Sequence, residues 1–385
     1  MEAATIRKTF KYKLQPTPTQ AAQLGAALRV CRELYNAALQ ERRDAWKMCH
    51  VSINYYQQKA QLPAIRAYRE DCAAIHSQVL QDVVLRLEKA FKAFFRRLMN
   101  GEKPGYPRFK GRHRYHSFTY PQWGNGASLV GDTLLLSKIG HIAVRWSRPL
   151  EGTPKTVSII EEADGWYVCF SCADVPVQPL PLTGEETGID LGLESFLTLA
   201  NGEQIANRRH SRKAENRLVK AQRRVSKRKK GSQRRSKAVR LLKRAYQKVA
   251  RARRDFQHKT ARTLLQQYDT VYFESLQVAN LAQNPHLAKS IYDAGWSQFC
   301  AILVFKAENA GKQAVAVPPA YTSQVCSGCG ALVLKGLSVR WHECPDCGAS
   351  LHRDHNAALN ILRVGQTHRG AATGTRGAEP RIPAL

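Results

Sequence analysis

Four cysteines near the end of the chain restrict what it can fold into more than any other feature. Cys326, Cys329, Cys344 and Cys347 stand in the pattern C-x2-C-x14-C-x2-C, and a glycine follows each pair, Gly330 and Gly348. An x2 spacing lets one tight turn present two thiolates, and two such turns supply the four sulfurs that tetrahedral Zn²⁺ takes at ~2.3 Å. The chain between the pairs must therefore double back as a small ribbon. Paired redox motifs are the competing reading, and ribbon spacing disfavours them. Four thiolates leave no open position, so the spacing predicts a structural zinc. Seven residues after Cys347, Asp354 opens an apolar helical run, DHNAALNIL. A structural zinc by itself requires no such neighbour.

Asp354 has two counterparts upstream. Asp190 sits in a strand-like GIDLG, and Glu274 ends the strand-like VYFE. Taken singly, a strand-end carboxylate or a helix N-cap is ordinary. All three, however, are flanked by apolar residues, and a carboxylate near a core is costly unless paired or bound to metal. Gathered together they repel one another until a divalent cation neutralises them. Two Mg²⁺ ions ~4 Å apart on such acids can activate water and stabilise the leaving oxygen in phosphodiester hydrolysis. The order and setting of the acids point to a nuclease of the ribonuclease H type.

Charge points the same way. Sixty Lys and Arg against thirty Asp and Glu give a net charge of +30. The basic residues are spread along the chain and interleaved with Tyr, Phe and Trp, which favours nucleic acid over an anionic membrane as partner. No apolar run approaches the ~18–20 residues of a membrane span, and MEAATIRKTFKYKL lacks a secretory core, so a cytoplasmic protein is expected. Cys31, Cys49, Cys72, Cys169, Cys172 and Cys300 read as small buried hydrophobes in a reducing compartment.

Along the chain, residues 5–14 alternate as a strand with Ile6, Phe10, Tyr12 and Leu14 on one face and Arg7, Lys11 and Lys13 on the other. Thr17-Pro18-Thr19-Gln20 reads as a capping box opening a helix, with Leu24, Leu28, Cys31, Tyr35 and Ala38 inward. A second helix is predicted from Ser77, with Val83, Leu87, Phe91, Phe94, Phe95 and Leu98 as its core stripe. Its polar face carries Gln78, Gln81 and Arg86. Residues 104–122 mix basic, aromatic and hydroxyl side chains, Arg108, Phe109, Lys110, Ser117, Thr119 and Tyr120 among them, and suit phosphate contact with base stacking. Short strands then follow to about residue 173. Together with the first strand they predict a small barrel interrupted by a helical insertion.

After a linker at 175–186 the pattern becomes α/β, with a hairpin turned at Asn201-Gly202. Residues 208–259 form a helical segment with 23 Lys or Arg and only Glu215 and Asp255 as acids, broken at KRKKGSQRRSK. One helix over 289–310 and a strand at AVAVPP complete the expectation.

GIDLG, VYFESL and YTSQVCSGCG…CPDCG…RDHNAALNIL together resemble the TnpB (OrfB) family of transposon-encoded RNA-guided DNA endonucleases, relatives of the type V CRISPR effectors. YKLQPTPTQ…CRELYNAAL and PRFKGR…SFTYP extend the resemblance over about residues 5–365. It implies a multidomain α+β fold. An oligonucleotide-binding-type β-barrel (1–15 and 121–180) would carry a helical recognition insertion (16–120). A RuvC-like nuclease (181–320 and 350–365), a zinc ribbon (321–349) and a disordered tail (366–385) would follow. It implies Asp190, Glu274 and Asp354 as catalytic ligands of two Mg²⁺ ions, and structural Zn²⁺ on the four cysteines. The partners would be a guide RNA from the transposon end and target double-stranded DNA, with the protein monomeric on its RNA and associated with the bacterial or archaeal nucleoid. Nucleic-acid contacts are expected at Gln78, Gln81, Arg108, Phe109, Lys110, Ser117, Thr119, Tyr120, Thr322, Ser323, Gln324 and Arg353. Asn356 and Asn360 would orient the third acid or touch phosphate. The alternatives are a DDE-type transposase, whose three acids also sit on a ribonuclease H core, and a non-cleaving RNA-guided DNA-binding regulator.

Overall fold

The computed structural model describes residues 4–112, 114–319, 321–336 and 339–372. It falls into two compact units, Met1–Pro176 and Val177–Leu385. Among the described residues no helix is long and apolar enough to cross a membrane.

In the first unit, β1 (Thr5–Gln15) buries Phe10, Tyr12 and Leu14 on one face, as its alternation predicts. Lys11 and Lys13 on the other face pair with Glu162 and Asp164. The capping box at Thr17 and Gln20 starts α1 (Pro18–Cys49). The sulfur of Cys49, read as buried, is in fact exposed at its end. Then come α2 (Tyr55–Tyr68), α3 (Glu70–Ala73) and α4 (Ser77–Met99). The inner stripe of α4 is buried as far as Phe91. Tyr106 closes over Phe91 and Phe94, but Phe95 and Leu98 are each 54% exposed, so the predicted core stripe ends one turn early.

The strands β2 (Ser117–Tyr120), β3 (Ala127–Val130), β4 (Thr133–Leu136), β5 (Gly140–Arg145), β6 (Thr153–Glu162) and β7 (Gly165–Pro176) join β1 in one antiparallel sheet of order β2-β6-β7-β1-β5-β4-β3. The two edge strands are consecutive in sequence. Laid flat, seven strands would separate these edges by about 29 Å. The seven steps from Tyr120 to Ala127 span at most about 25 Å fully extended. They are not extended, because Gly124 and Gly126 take left-handed conformations (φ 82° and 85°). The sheet therefore curls into a nearly closed barrel. Residues 117–120 belong to this sheet, so the helical insertion ends four residues earlier than the sequence suggested.

In the second unit, β8 (Glu186–Leu191), β9 (Ser195–Leu199), β10 (Gln204–Ala206), β11 (Thr270–Glu274) and β12 (Gln313–Val317) form a sheet of order β10-β9-β8-β11-β12. β8, β11 and β12 are parallel, while β9 runs antiparallel between β8 and β10. Between them run α5 (His210–Ser226), α6 (Gln233–Gln267), α7 (Val278–Leu281), α8 (Pro285–Ala294) and α9 (Trp296–Asn309). The helix predicted over 289–310 is two helices. Gly295 (φ 67°) ends α8, and the Gln257 side chain donates to the Ala294 and Gly295 carbonyls at the break. The ribbon hairpin β13 (Trp341–Glu343) and β14 (Ser350–His352) extends three residues past the expected boundary and leads into α10 (Arg353–Ala372). Residues 366–372, read as tail, are therefore helical, and 373–385 lie outside the described residues.

This sheet is covered on both faces. Val271 and Phe273 point into a core with Leu264, Leu265, Phe299 and Leu303 of α6 and α9. Between them in sequence, Tyr272 points the other way, into a core with Ile361 of α10. α10 lies almost on the backbone of the sheet. A Cβ at Gly188 would fall 2.2 Å from the Ala358 carbonyl oxygen, and one at Gly365 would fall 2.1 Å from the Tyr272 ring. The N-terminal half of α6 leaves this core and packs through Val249 on Ala214 and Leu218 of α5. Arg209 at the start of α5 provides no side-chain cap, and the Asp293 carboxylate accepts from the Ser211 amide at 2.9 Å instead.

Two helical glycines should respond oppositely to alanine. Gly25, exposed on α1 with nothing within 4 Å of an added Cβ, should gain about 1 kcal/mol on Gly25→Ala through helix propensity. Gly365→Ala should lose about 1–3 kcal/mol through overpacking on Tyr272, despite the same propensity gain. Chemical denaturation followed in each unit would separate the two signs.

Candidate functional site

The site follows from strand parity. Side chains along a strand alternate between faces. Gly188 lies under α10, so Asp190, two residues on, faces the same way; Tyr272 packs on Ile361 of α10, so Glu274 does likewise. β8 and β11 are parallel with Phe273 opposite Ile189, which sets Glu274 beside Asp190 at the carboxyl ends of two central strands. Such ends, at the edge of an open parallel sheet, are where α/β folds present ligand-binding groups. The third acid arrives from α10. Asp354 lies in its first turn, 8% exposed, and its Oδ2 is 3.8 Å from where a Cβ on Gly192 would be.

The three carboxylates feel one another. Burial first, and then the charges of Glu274 and Asp354, push Asp190 well above the usual carboxylate range against the pull of Arg353. Burial also raises Glu274, and the hydroxyl of Thr322, which donates to Glu274 Oε1, partly offsets it. Carboxylate oxygens gathered from three elements are the donor set that a hard divalent cation fits. His352 Nδ1 stands 3.9 Å from Asp354 Oδ2, a neighbour that the sequence reading missed although it directly precedes the helix.

Among the described residues, Cys326, Cys329, Cys344 and Cys347 are the one group of three or more ligand side chains whose donor atoms all lie within 4.8 Å of one another. The acids are gathered more loosely. Cys326 and Cys347 sulfurs are 3.6 Å apart, as are those of Cys329 and Cys344. A tetrahedral ion with ~2.3 Å bonds separates its sulfurs by about 3.8 Å, whereas a disulfide requires ~2.05 Å. The two turns are copies of each other. Gly330 and Gly348, both left-handed, donate to the Cys326 and Cys344 carbonyls at 2.9 and 3.0 Å. Burial opposes ionisation of Cys326, but the Cys329 amide, the His342 side chain and the Gly328 amide outweigh it and bring the thiol down to about 5. That favours a thiolate at Cys326, whereas at Cys347 the pull of the Ala349 amide is outweighed by the neighbouring sulfurs of Cys329, Cys344 and Cys326, which raise it to about 12.

Several of the expected nucleic-acid contacts have other occupations. Arg86, placed on a free polar face, is bound to Asp82 and donates to Ser117 and Thr119. The two hydroxyls are thus engaged within the fold, and the Tyr120 ring is 2% exposed. Gln78 donates to Gln122. Gln81 lines an open cleft of about 330 Å³ with Tyr56, Lys59, Arg66 and Ser77. Arg108 and Phe109 are exposed, with Arg43 stacked 5.3 Å from the Phe109 centroid. Lys110 is held by its backbone to Asn36. Thr322 is 5% exposed with its hydroxyl on Glu274, and Ser323 accepts from Arg353 at 3.3 Å. Gln324 is half-buried and pairs by its backbone with Tyr321 and Val333. Asn356 and Asn360 bond neither the third acid nor an outward surface. They bind the backbone leading into the first cysteine turn.

Comparison with known proteins gives three family matches. A family described as "Probable transposase" matches residues 168–285, "Cas12f1-like, TNB domain" matches 296–361, and "Helix-turn-helix domain" matches 1–49. In this chain the last region is one strand and one long helix. A protein of Streptomyces pristinaespiralis named "Putative RNA-guided DNA endonuclease" is 36% identical over 384 residues, covering 96% of this chain and 92% of its own. "Putative RNA-guided DNA endonuclease InsQ" of Escherichia coli (strain K12) is 28% identical, covering 93% and 92%. A solved structure described as the Cas12f1-sgRNA-target DNA complex matches the fold with a TM-score of 0.56 at 15% identity, over 93% of this chain and 99% of that one.

Cys344→Ser should abolish stoichiometric zinc, read by atomic absorption on the purified protein; full zinc content would refute the four-cysteine site. Asp190→Asn should stabilise the cation-free protein. The wild-type folded-state carboxyl holds its proton above the unfolded value, so wild-type stability falls as pH rises toward ~7, and the gap should close toward ~pH 3, where the unfolded carboxyl is also protonated. Thermal melts with a chelator present at both pH values test this.

Proposed function

We propose, from the premise that the chain belongs to the TnpB (OrfB) family, that it is an RNA-guided DNA endonuclease of a transposon and that Asp190, Glu274 and Asp354 carry out the cleavage. The observation that carries the catalytic assignment is the convergence of these three acids on the α10 face of one parallel sheet. A three-strand meander flanked by parallel strands, with acids at two strand ends and one helix start, supports a RuvC-like, ribonuclease H-type nuclease.

Two Mg²⁺ ions held by these carboxylates would supply activated water and stabilise the leaving oxygen. The chain's own residues do the rest. Thr322 orients Glu274, α10 presents Asp354, and Arg353 tempers the charge on Asp190. The four cysteines would hold a structural Zn²⁺ that fixes the chain just before Asp354. Guide RNA pairing would supply sequence specificity, and the protein would grip backbone and read a short motif beside the target. The cleft that includes Gln81 and the exposed Arg108-Phe109 pair are the places in the first unit where such contacts fit. The α5–α6 pair would lie along phosphates of the guide.

The test is cleavage by protein expressed with its native downstream DNA. A plasmid carrying a guide-matched target beside randomised flanks should be cut in Mg²⁺, with one flank motif depleted. Asp190→Ala should lower the rate on the order of 1,000-fold or more, as loss of a directly acting group does. Equal cleavage by both proteins would sink the catalytic assignment. Target binding without cleavage by either would favour a regulator.

A further inference from the structure

We propose that Thr322 is a positioning residue that couples the zinc knuckle to the catalytic acid Glu274, so that an intact cysteine site tightens binding of the catalytic divalent cation. This rests on the nuclease reading above. The segment concerned is short. Tyr321, in the left-handed region at φ 59°, starts a single turn in which the amides of Gln324 and Val325 both donate to its carbonyl at 2.9 Å. The next residue is the first zinc ligand, Cys326.

That turn is fixed to α10 by two asparagines one helical turn apart. Asn360 Nδ2 donates to the Thr322 carbonyl at 2.8 Å and to the Val325 carbonyl at 2.7 Å. Asn356 Nδ2 donates to Val325 at 2.8 Å, and its Oδ1 accepts from the Ser327 amide at 2.9 Å. Both asparagines are buried, Asn356 at 0% and Asn360 at 2% exposure. α10 is also the helix whose first turn carries Asp354. Thr322 is thus held on one side by the helix of the third acid and on the other by the knuckle, and its hydroxyl donates to the second acid.

The physical role is orientation. The last torsion of a glutamate is broad and nearly two-fold, so an unassisted carboxylate has no fixed plane. One hydrogen bond from a buried hydroxyl to Oε1 fixes the plane and leaves Oε2 for a cation. Loss of such an outer partner to a ligating group commonly costs about 10–100-fold in metal affinity. Coupling of this kind is reciprocal, so cation binding at the acids should also steady the knuckle.

The experiment uses guide-loaded protein and Mn²⁺, an oxygen-preferring probe for such a site. Free Mn²⁺ is measured by electron paramagnetic resonance, and the Asp190→Ala complex sets the background from RNA. Thr322→Val should keep zinc and guide RNA yet weaken Mn²⁺ about 10-fold or more, and raise the half-saturating Mg²⁺ for cleavage by the same factor. Thr322→Ser, which restores the hydroxyl, should stay close to wild type, whereas Cys344→Ser should weaken Mn²⁺ although the Thr322 hydroxyl is intact. Wild-type Mn²⁺ affinity in a guide-loaded, zinc-free Cys344→Ser protein overturns the coupling. Should Thr322→Val lose zinc or guide RNA, Thr322→Ala, which adds no bulk, carries the same expectation. Unchanged Mn²⁺ affinity in the hydroxyl-free variant, or a serine variant as impaired as valine, overturns the proposal while leaving the nuclease standing. A wild type with no more bound Mn²⁺ than Asp190→Ala overturns both.

Discussion

Burial of Asp190 beside two further carboxylates, Glu274 and Asp354, is the constraint to which the second unit answers. Sheet parity puts two of the acids side by side on adjacent strands, where like charges are unfavourable. Nothing in propensity or burial would assemble them. They are held because the α10 face of the sheet is packed too closely to relax. Gly188 and Gly365 remove the side chains that would keep α10 off the backbone of β8 and off Tyr272. The apolar cores on both faces supply the free energy. The site is a local charge cost carried by a large hydrophobic assembly, which is how strained functional groups persist.

The cysteine ribbon makes sense in the same frame. α10 enters the site at its N-terminus, the end of a helix most prone to fray because its first amides lack intrahelical partners. Asp354 must nonetheless be placed with care. Zinc on the four cysteines would crosslink the chain immediately upstream, and Asn356 and Asn360 bind that segment down to the first turns of the helix. A metal crosslink is stiffer than a loop of the same length and adds no hydrophobic surface. With zinc bound, the knuckle and the two asparagines would together fix the start of α10.

The sequence made much of this legible, and for identifiable reasons. Capping residues, strand alternation and the cysteine spacing are local signals, so α1, β1 and the ribbon were readable from neighbouring residues alone. The acids could be singled out because a charged residue in an apolar run conflicts with its surroundings. What failed depended on long-range pairing. Ser117 and Thr119 look like ligand-facing hydroxyls until Arg86, some 31 residues away, is found on both. Thr322 reads as a nucleic-acid contact, and only Asn360 and Glu274, distant in sequence, reveal it as buried within the fold. Gly295 splits what periodicity joins into one helix, because apolar spacing survives a break that a single left-handed glycine makes.

Charge completes the physical picture. In the first unit, several lysines and arginines meet acids within the fold: Lys11 with Glu162, Lys13 with Asp164, Arg42 with Glu88. Residues 208–259 carry 23 basic against 2 acidic side chains, a net +21, so acids of the same segment can offset few of these charges. The core joining α5 to the N-terminal half of α6 is thin, resting on Ala214, Leu218 and Val249. Helices of this length rise only ~1.5 Å per residue, so neighbouring charges lie within the ~8 Å screening length of physiological salt. So dense a line of positive charge on so small a core matches the line charge of a nucleic-acid backbone, whose phosphates would relieve the repulsion and release counterions in doing so. A polyanion bound along this helix pair would therefore add to its stability.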